Sequence, residues 1–247
     1  SKNGLAYWKS GEQGSTVLLI MGIGLSGRAW EQQFTAFSQH HRVVCYDHLG
    51  VGQSQAIDGQ VISMKSMAQQ ALELMDELNW PSAHIVGVSM GGMIAQHLAL
   101  MATERVKTLT WIGIKSFIKV TFARDGENRL KALNDLLFPA DYHLKNDGDQ
   151  KGKLIEIYGV QAPQKTRWAQ LKAVLKHDTR KQLNEISTLK TTIICPDKDV
   201  LINPVQNQYL QQLIPNSTLI HYPDAGHGVM HQNASRLNHQ LLENFKG

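Results

Sequence analysis

With 247 residues, 42% of them apolar and 19% charged, the chain has the material for one large α/β domain, or for a domain carrying an inserted subdomain. Its longest apolar run, residues 17–25, includes two glycines and is too short to cross a bilayer, and two cysteines make no disulfide framework. The net charge of +4 is uneven: residues 115–190 hold 15 Lys/Arg against 9 Asp/Glu, while the remainder holds 10 against 12.

Six short aliphatic or β-branched runs read as strands, and helix-like stretches separate most of them. The run Thr16–Met21 comes first, followed by a helical stretch at Ala29–Gln39 and a second strand at Arg42–Tyr46. Ser63–Leu78 is helical, His84–Val88 is the third strand, Met90–Met101 is helical, and Leu109–Ile112 is the fourth strand. From about residue 115 to 188 the alternation lapses into helical, polar sequence. It resumes with Thr191–Cys195, a helix over Pro204–Leu213, the strand Thr218–Tyr222 and a closing helix at Ser235–Phe245. Asn203 before Pro204 reads as an N-cap with proline in the first helical position. Nearly continuous apolar strands alternating with helices predict a parallel sheet covered on both faces. The core is then 1–114 with 189–247, and 115–188 is a helical insertion. Cys45 and Cys195 each end a strand-like run, as small buried hydrophobes in a reduced, cytoplasmic compartment would. No charged-then-apolar leader opens the sequence, although Ser rather than Met in first place leaves room for a removed segment.

Gly22, Gly24 and Gly27 have the spacing G-x-G-x-x-G after the first strand, and Asp47 stands twenty residues beyond the last of them. That matches the dinucleotide-binding fingerprint, with pyrophosphate on the loop and ribose on the acid. The remaining strand ends favour another use of the loop. "GVSMGG" after His84–Val88 is G-x-S-x-G between a strand and a helix, the setting of a nucleophile elbow at Ser89. Gly87 and Gly91 are small because such a turn forces strand and helix together. A serine hydroxyl needs a base held by a third group. "PDKDVLINP" after the fifth strand offers Asp197 and Asp199, and "PDAGHGVMH" after the sixth offers His227. The chain order Ser, Asp, His, with each residue at a different strand end, is the order expected on a sheet of this kind.

These segments resemble the α/β-hydrolase fold superfamily over nearly all of the chain outside the insertion. "DHLGVGQS", residues 47–54, is similar to the family's D-x-x-G-x-G-x-S turn, and "PDKDVLINP" to its acid loop, which favours Asp199 over Asp197. "GHGVMHQNASRLNHQLLENF" is similar to its histidine loop and last helix, which makes His227 the base. The loop after the first strand, "MGIG", carries Met21 where the family usually has histidine. The resemblance implies a mostly parallel sheet with a helical lid insertion, and hydrolysis of a carboxylic ester through an acyl-Ser89 intermediate. The Ile23 and Met90 amides would receive the oxyanion. No cofactor or metal is called for, and Asp47 becomes a turn residue.

Other readings use the same residues. A cofactor-free haloperoxidase, an acyltransferase or a ligand-sensing receptor can carry the same triad. His227 and His231 have i, i+4 spacing, but no glutamate follows His227 as in H-E-x-x-H and Gly228 is a poor helix residue. Trp30 and Trp111 either line a pocket or fill the core. The basic stretch, with Lys115, Lys119, Arg124, Arg129, Lys131, Lys151, Lys153, Arg167, Lys172, Lys176, Arg180 and Lys181, is either a solvated surface or a steering field. In the second case the partner would be an acidic acyl carrier protein. Esterases of biotin synthesis, which look similar in size and layout, take a pimeloyl methyl ester from such a carrier. In the first case the substrate is a free small ester. Nothing in the sequence calls for nucleic acid or a membrane.

Overall fold

The computed structural model describes residues 1–113, 135–145 and 162–246. Strands β2 (Thr16–Ile20), β3 (Arg42–Tyr46), β4 (Ala83–Val88), β5 (Val106–Ile112), β6 (Thr191–Pro196) and β7 (Thr218–Tyr222) are the six predicted, within a few residues at either end. They form a parallel sheet in the order β3-β2-β4-β5-β6-β7. A further strand, β1 (Tyr7–Ser10), pairs antiparallel with β3 at the edge, with Tyr7 opposite Tyr46. Its residues are exposed or half-buried, so no apolar run announces it.

The sheet has the two covered faces that its apolar strands require. All of β2 is buried, and its side chains alternate between two cores. Leu18 and Ile20 pack with α2 (Met64–Glu77) and α3 (Met90–Met101), whereas Val17 and Leu19 share a core with Phe37 of α1 (Glu31–Phe37). In the connection from β5 to β6 lie α4 (Ala140–Lys145) and α5 (Gln164–Leu175), and the chain ends through α6 (Val205–Leu213), α7 (Val229–Gln232) and α8 (Ala234–Asn244). Leu237 and Leu241 of α8 complete the second core. The β5–β6 connection is anchored on both faces: Ala173 and Val174 join the α2–α3 core, and Leu137 and Phe138 join the other.

Local signals set the helix starts. Ser63 and Ser66 form a reciprocal capping box at the head of α2. At α6, Asn203 Oδ1 accepts the Val205 N–H at 3.0 Å and Pro204 already has helical geometry, as the Asn-Pro pair implies. After β2 the chain moves outward to β3 and then returns to lay β4 on the other side of β2. In parallel α/β sheets, the crevice at such a reversal is where ligands bind. The loops after β2 and β4 meet there.

Asp47, which closes β3, is the fixed point of that edge. Its Oδ1 accepts the Ser26 hydroxyl at 2.6 Å and the Gly27 N–H at 2.8 Å, and its Oδ2 accepts the Gln53 N–H at 2.9 Å. A Cβ at Gly27 would stand 2.3 Å from the Tyr46 carbonyl oxygen, so the glycine permits the approach and the acid secures it. Removing the carboxylate strands two buried donors, the Ser26 hydroxyl and the Gly27 N–H, at roughly 1–3 kcal/mol each before relaxation, and leaves the exposed Gln53 N–H to water. Asp47→Ala should therefore lower unfolding free energy by about 3 kcal/mol in urea titrations. A loss below about 1 kcal/mol would show that the turn is held by something else.

Candidate active site

Ser89 lies between β4 and α3 with φ 53° and ψ −119°, and it is one of two non-glycine residues with positive φ among those described. Such a conformation costs on the order of 1–3 kcal/mol and persists only where the surroundings enforce it. The enforcement is visible on both sides. A Cβ at Gly91 would stand 2.0 Å from the Ile20 carbonyl oxygen, and one at Gly87 would stand 2.4 Å from the Gly91 oxygen. The Ser89 N–H is tied to the Ile112 carbonyl at 2.9 Å, which sets the turn against the end of β5. Its hydroxyl caps nothing in α3 and makes no hydrogen bond among the described residues, so it is free to engage a substrate.

Asp199 and His227, at the ends of β6 and β7, meet as a buried pair with Oδ2 2.7 Å from Nδ1. The carboxylate side chain is fully buried, and its Oδ1 accepts the Leu201 and Ile202 amides at 2.8 and 2.9 Å. Because a carboxylate only accepts, Nδ1 carries the proton and Nε2 is left as the basic nitrogen. Burial pulls the His227 pKa down, but the Asp199 charge and its hydrogen bond more than reverse this, and the net shift is upward. Gly113, just past β5, adjoins the pair: a Cβ there would lie 3.2 Å from His227 Nδ1 and 3.3 Å from Asp199 Oδ2.

The loop after β2 approaches Ser89 from the other side. A Cβ at Gly22 would lie 3.4 Å from that of Ser89. The Met90 N–H opens α3 and so has no partner within the helix. Among the described residues nothing accepts from the Ile23 N–H either. The residue after Ser89 and the residue after Gly22 thus each carry a backbone donor without a partner among the described residues.

Residues 15–137 match the family described as alpha/beta hydrolase fold. This chain has the α/β-hydrolase fold. It is 28% identical over 243 residues to RutD of Yersinia enterocolitica, provisionally named a carbamate hydrolase, across 92% of this chain and 86% of that one. An enol-lactonase from Burkholderia xenovorans superposes with a TM-score of 0.88 at 22% identity, covering 98% and 96% of the two chains. A thermophilic esterase from Thermogutta terrifontis superposes with 0.84 at 24%, covering 97% and 92%.

The fold disposes of several competing uses. The glycine loop and Asp47 match the dinucleotide spacing because the acid binds the last glycine of the set directly. His227 precedes Gly228, the N-cap of α7, so it and His231 do not share a helix face as a zinc pair would. Trp30 and Trp111 are fully buried in opposite cores and fill space. Asp197, the rival acid, holds His221 Nδ1 at 2.8 Å, away from His227. Cys195, Asp197 and His221 bring possible ligand atoms within 4.8 Å of one another. Burial and the hydrogen bond to the adjacent Asp197 push the thiol up to about 12. No described helix is long and apolar enough to cross a membrane. Of the basic residues singled out above, Lys115, Lys119, Arg124, Arg129, Lys131, Lys151 and Lys153 lie outside the described residues.

Sequence reasoning passed over His48. It is buried beside the glycine loop, and its Nε2 donates to the Met21 carbonyl at 2.9 Å. Burial holds its pKa below the usual value, so it is a neutral donor at physiological pH. The signal was there in part: a histidine missing at position 21 and another one following Asp47.

The His227 balance can be tested without reference to turnover. Titrating the ring by NMR should give a midpoint above 6.5. In Asp199→Asn the charge is lost and burial outweighs any hydrogen bond the amide keeps, so the midpoint should fall below 6.5. A variant that titrates like the wild type would show that Asp199 does not govern the ring.

Proposed function

We propose that this chain is a serine hydrolase that cleaves a carboxylic ester through an acyl-Ser89 intermediate. The observation that supports the reading is a strained Ser89 whose N–H is tied to Ile112, next to Gly113, which adjoins a buried His227–Asp199 pair. In this mechanism Ser89 Oγ attacks the carbonyl carbon while His227 Nε2 takes the hydroxyl proton. Asp199 holds the tautomer and stabilises the imidazolium. The developing oxyanion is received by the Ile23 and Met90 amides, a contribution worth about 3–4 kcal/mol per donor where it has been measured. His227 returns the proton to the departing alkoxide, and water repeats the sequence to release the acid.

The relatives' names support an acyl-cleaving role and leave the leaving group open. An ester, a lactone and a carbamate each present a carbonyl carbon bearing an oxygen or nitrogen leaving group. The same serine, base and donors serve all three. On this reading the described parts of the β5–β6 connection, residues 135–145 and 162–188, bear on acyl selection, and the rest of the expected lid, residues 115–134 and 146–161, lies outside the described residues.

Ser89→Ala should cut turnover of a short aryl ester by four to six orders of magnitude while leaving the circular dichroism spectrum unchanged. Retention of more than a few per cent of activity would end the assignment. Asp199→Asn should cost about 10⁴-fold in kcat, as loss of the orienting acid does in comparable triads. Asp197→Asn, which disturbs the His221 pair and the Cys195 thiol contact, should stay within about threefold. The reverse ranking would move the acid to Asp197.

A further inference from the structure

Gly24, next to one proposed oxyanion donor, is bonded through both of its backbone polar groups to the β5–β6 connection. Its N–H donates to Gln170 Oε1 of α5 at 2.8 Å, and its carbonyl accepts the Ala162 N–H at 2.9 Å. It has φ +69°, and the Arg167 side chain covers the space that a Cβ there would need, with carbons 3.2 and 3.3 Å away. On the other side of Ile23, His48 fixes the Met21 carbonyl. The chain around Ile23 is thus tied down at both ends, and the Ile23 N–H is left unclaimed among the described residues.

Gln170 has no exposed surface and lies 146 residues from Gly24 in sequence. Its orientation is not arbitrary: an N–H requires an acceptor, so Oε1 must face Gly24. Its Nε2 is buried without a hydrogen-bond partner among the described residues. A buried amide that satisfies only one end is a poor choice for stability alone. The end it does use touches the loop beside Ser89.

We infer that Gln170 is a positioning residue of the oxyanion hole: by accepting the Gly24 N–H it fixes the backbone that aims the Ile23 amide, so the hole is complete only while α5 is seated on the loop. The inference rests on the serine-hydrolase reading above. It implies that a substrate which seats α5 well also gains kcat, because binding energy spent on the lid is returned as transition-state stabilisation.

The test compares Gln170→Leu, which removes the acceptor, with Gln170→Glu, which keeps one. Labelling of Ser89 by a fluorophosphonate first establishes the nucleophile. Gln170→Leu should then lower kcat on an aryl ester about 10–100-fold with KM within about threefold, the size expected when a catalytic group is displaced by about 1 Å. Affinity for an aryl boronic acid, whose tetrahedral adduct uses the hole, should fall in step with kcat. Gln170→Glu should recover most of both. If Gln170→Leu does not fold, Gln170→Met takes its place in the same comparison. Unchanged kcat on a labelled enzyme overturns the inference alone, as does an equal loss in the Glu variant. A wild type that Ser89 labelling and turnover both fail to register overturns the hydrolase reading and this inference with it.

Discussion

Helix α3 leaves β4 so close to β2 that the Gly91 backbone rests against the Ile20 carbonyl, with no space for a Cβ between them. That contact is packing between a central strand and the helix that covers it, and the rest of the site is arranged around it. It leaves one residue to turn the chain from strand to helix, and Ser89 takes up the turn at φ 53°. The strain is tolerable because β2 and β4 are buried along their whole lengths. A rigid centre can hold a conformation that an edge strand would relax. The same contact brings the loop after β2 against the serine, so the serine turn and the glycine loop are placed by one piece of packing.

A second constraint acts at the edge of the crevice. On the proposed mechanism, the loop after β2 must be open enough to expose an N–H and firm enough to aim it. The chain achieves this by tying the flanking groups and leaving the middle one alone. His48 holds the Met21 carbonyl, Asp47 holds the Gly27 N–H, and Gln170 with Ala162 holds Gly24. Asp47 and His48 are consecutive in sequence, so the end of β3 secures both ends of its neighbour's loop. This also explains the spacing that imitates a dinucleotide site. Gly24 is required for its left-handed backbone and Gly27 for its approach to Tyr46, and the acid twenty residues on meets a glycine amide.

The strands, the serine turn and the chain order of the three site residues were legible because each is a local pattern: an apolar run, a glycine-serine-glycine turn, a loop after a strand. Asp199 was separable from Asp197 only through resemblance, since both follow β6 in the same short loop. The structure supplies the physical reason: Oδ1 of Asp199 is fixed by the Leu201 and Ile202 amides, whereas Asp197 turns to His221. β1 was not legible, because a short half-buried edge strand owes its existence to β3 rather than to its own sequence. Gln170 was not legible either. Nothing in the polar sequence of α5 marks one glutamine as buried against a loop 146 residues away.

The β5–β6 connection touches the histidine side of the crevice as well. The Leu137 carbonyl accepts the Gly228 N–H at 2.7 Å, and the Phe138 ring lies where a Gly228 side chain would be. His227 is next to that contact, and burial is the largest of the forces on its ring. Covering the histidine lowers its pKa, and the Asp199 charge and hydrogen bond together more than offset the effect. On the proposed mechanism, the segment over the crevice therefore does more than shape the acyl pocket. Through Gly228 it affects how dry the base is, and through Gly24 it affects where the amide donor points. A substitution in the connection that changes substrate preference will tend to move one of these as well. Changes of preference in this chain are thus coupled to rate. The side chains through which such a change would reach the loops most directly are Arg167 and Gln170 at Gly24 and Phe138 at Gly228.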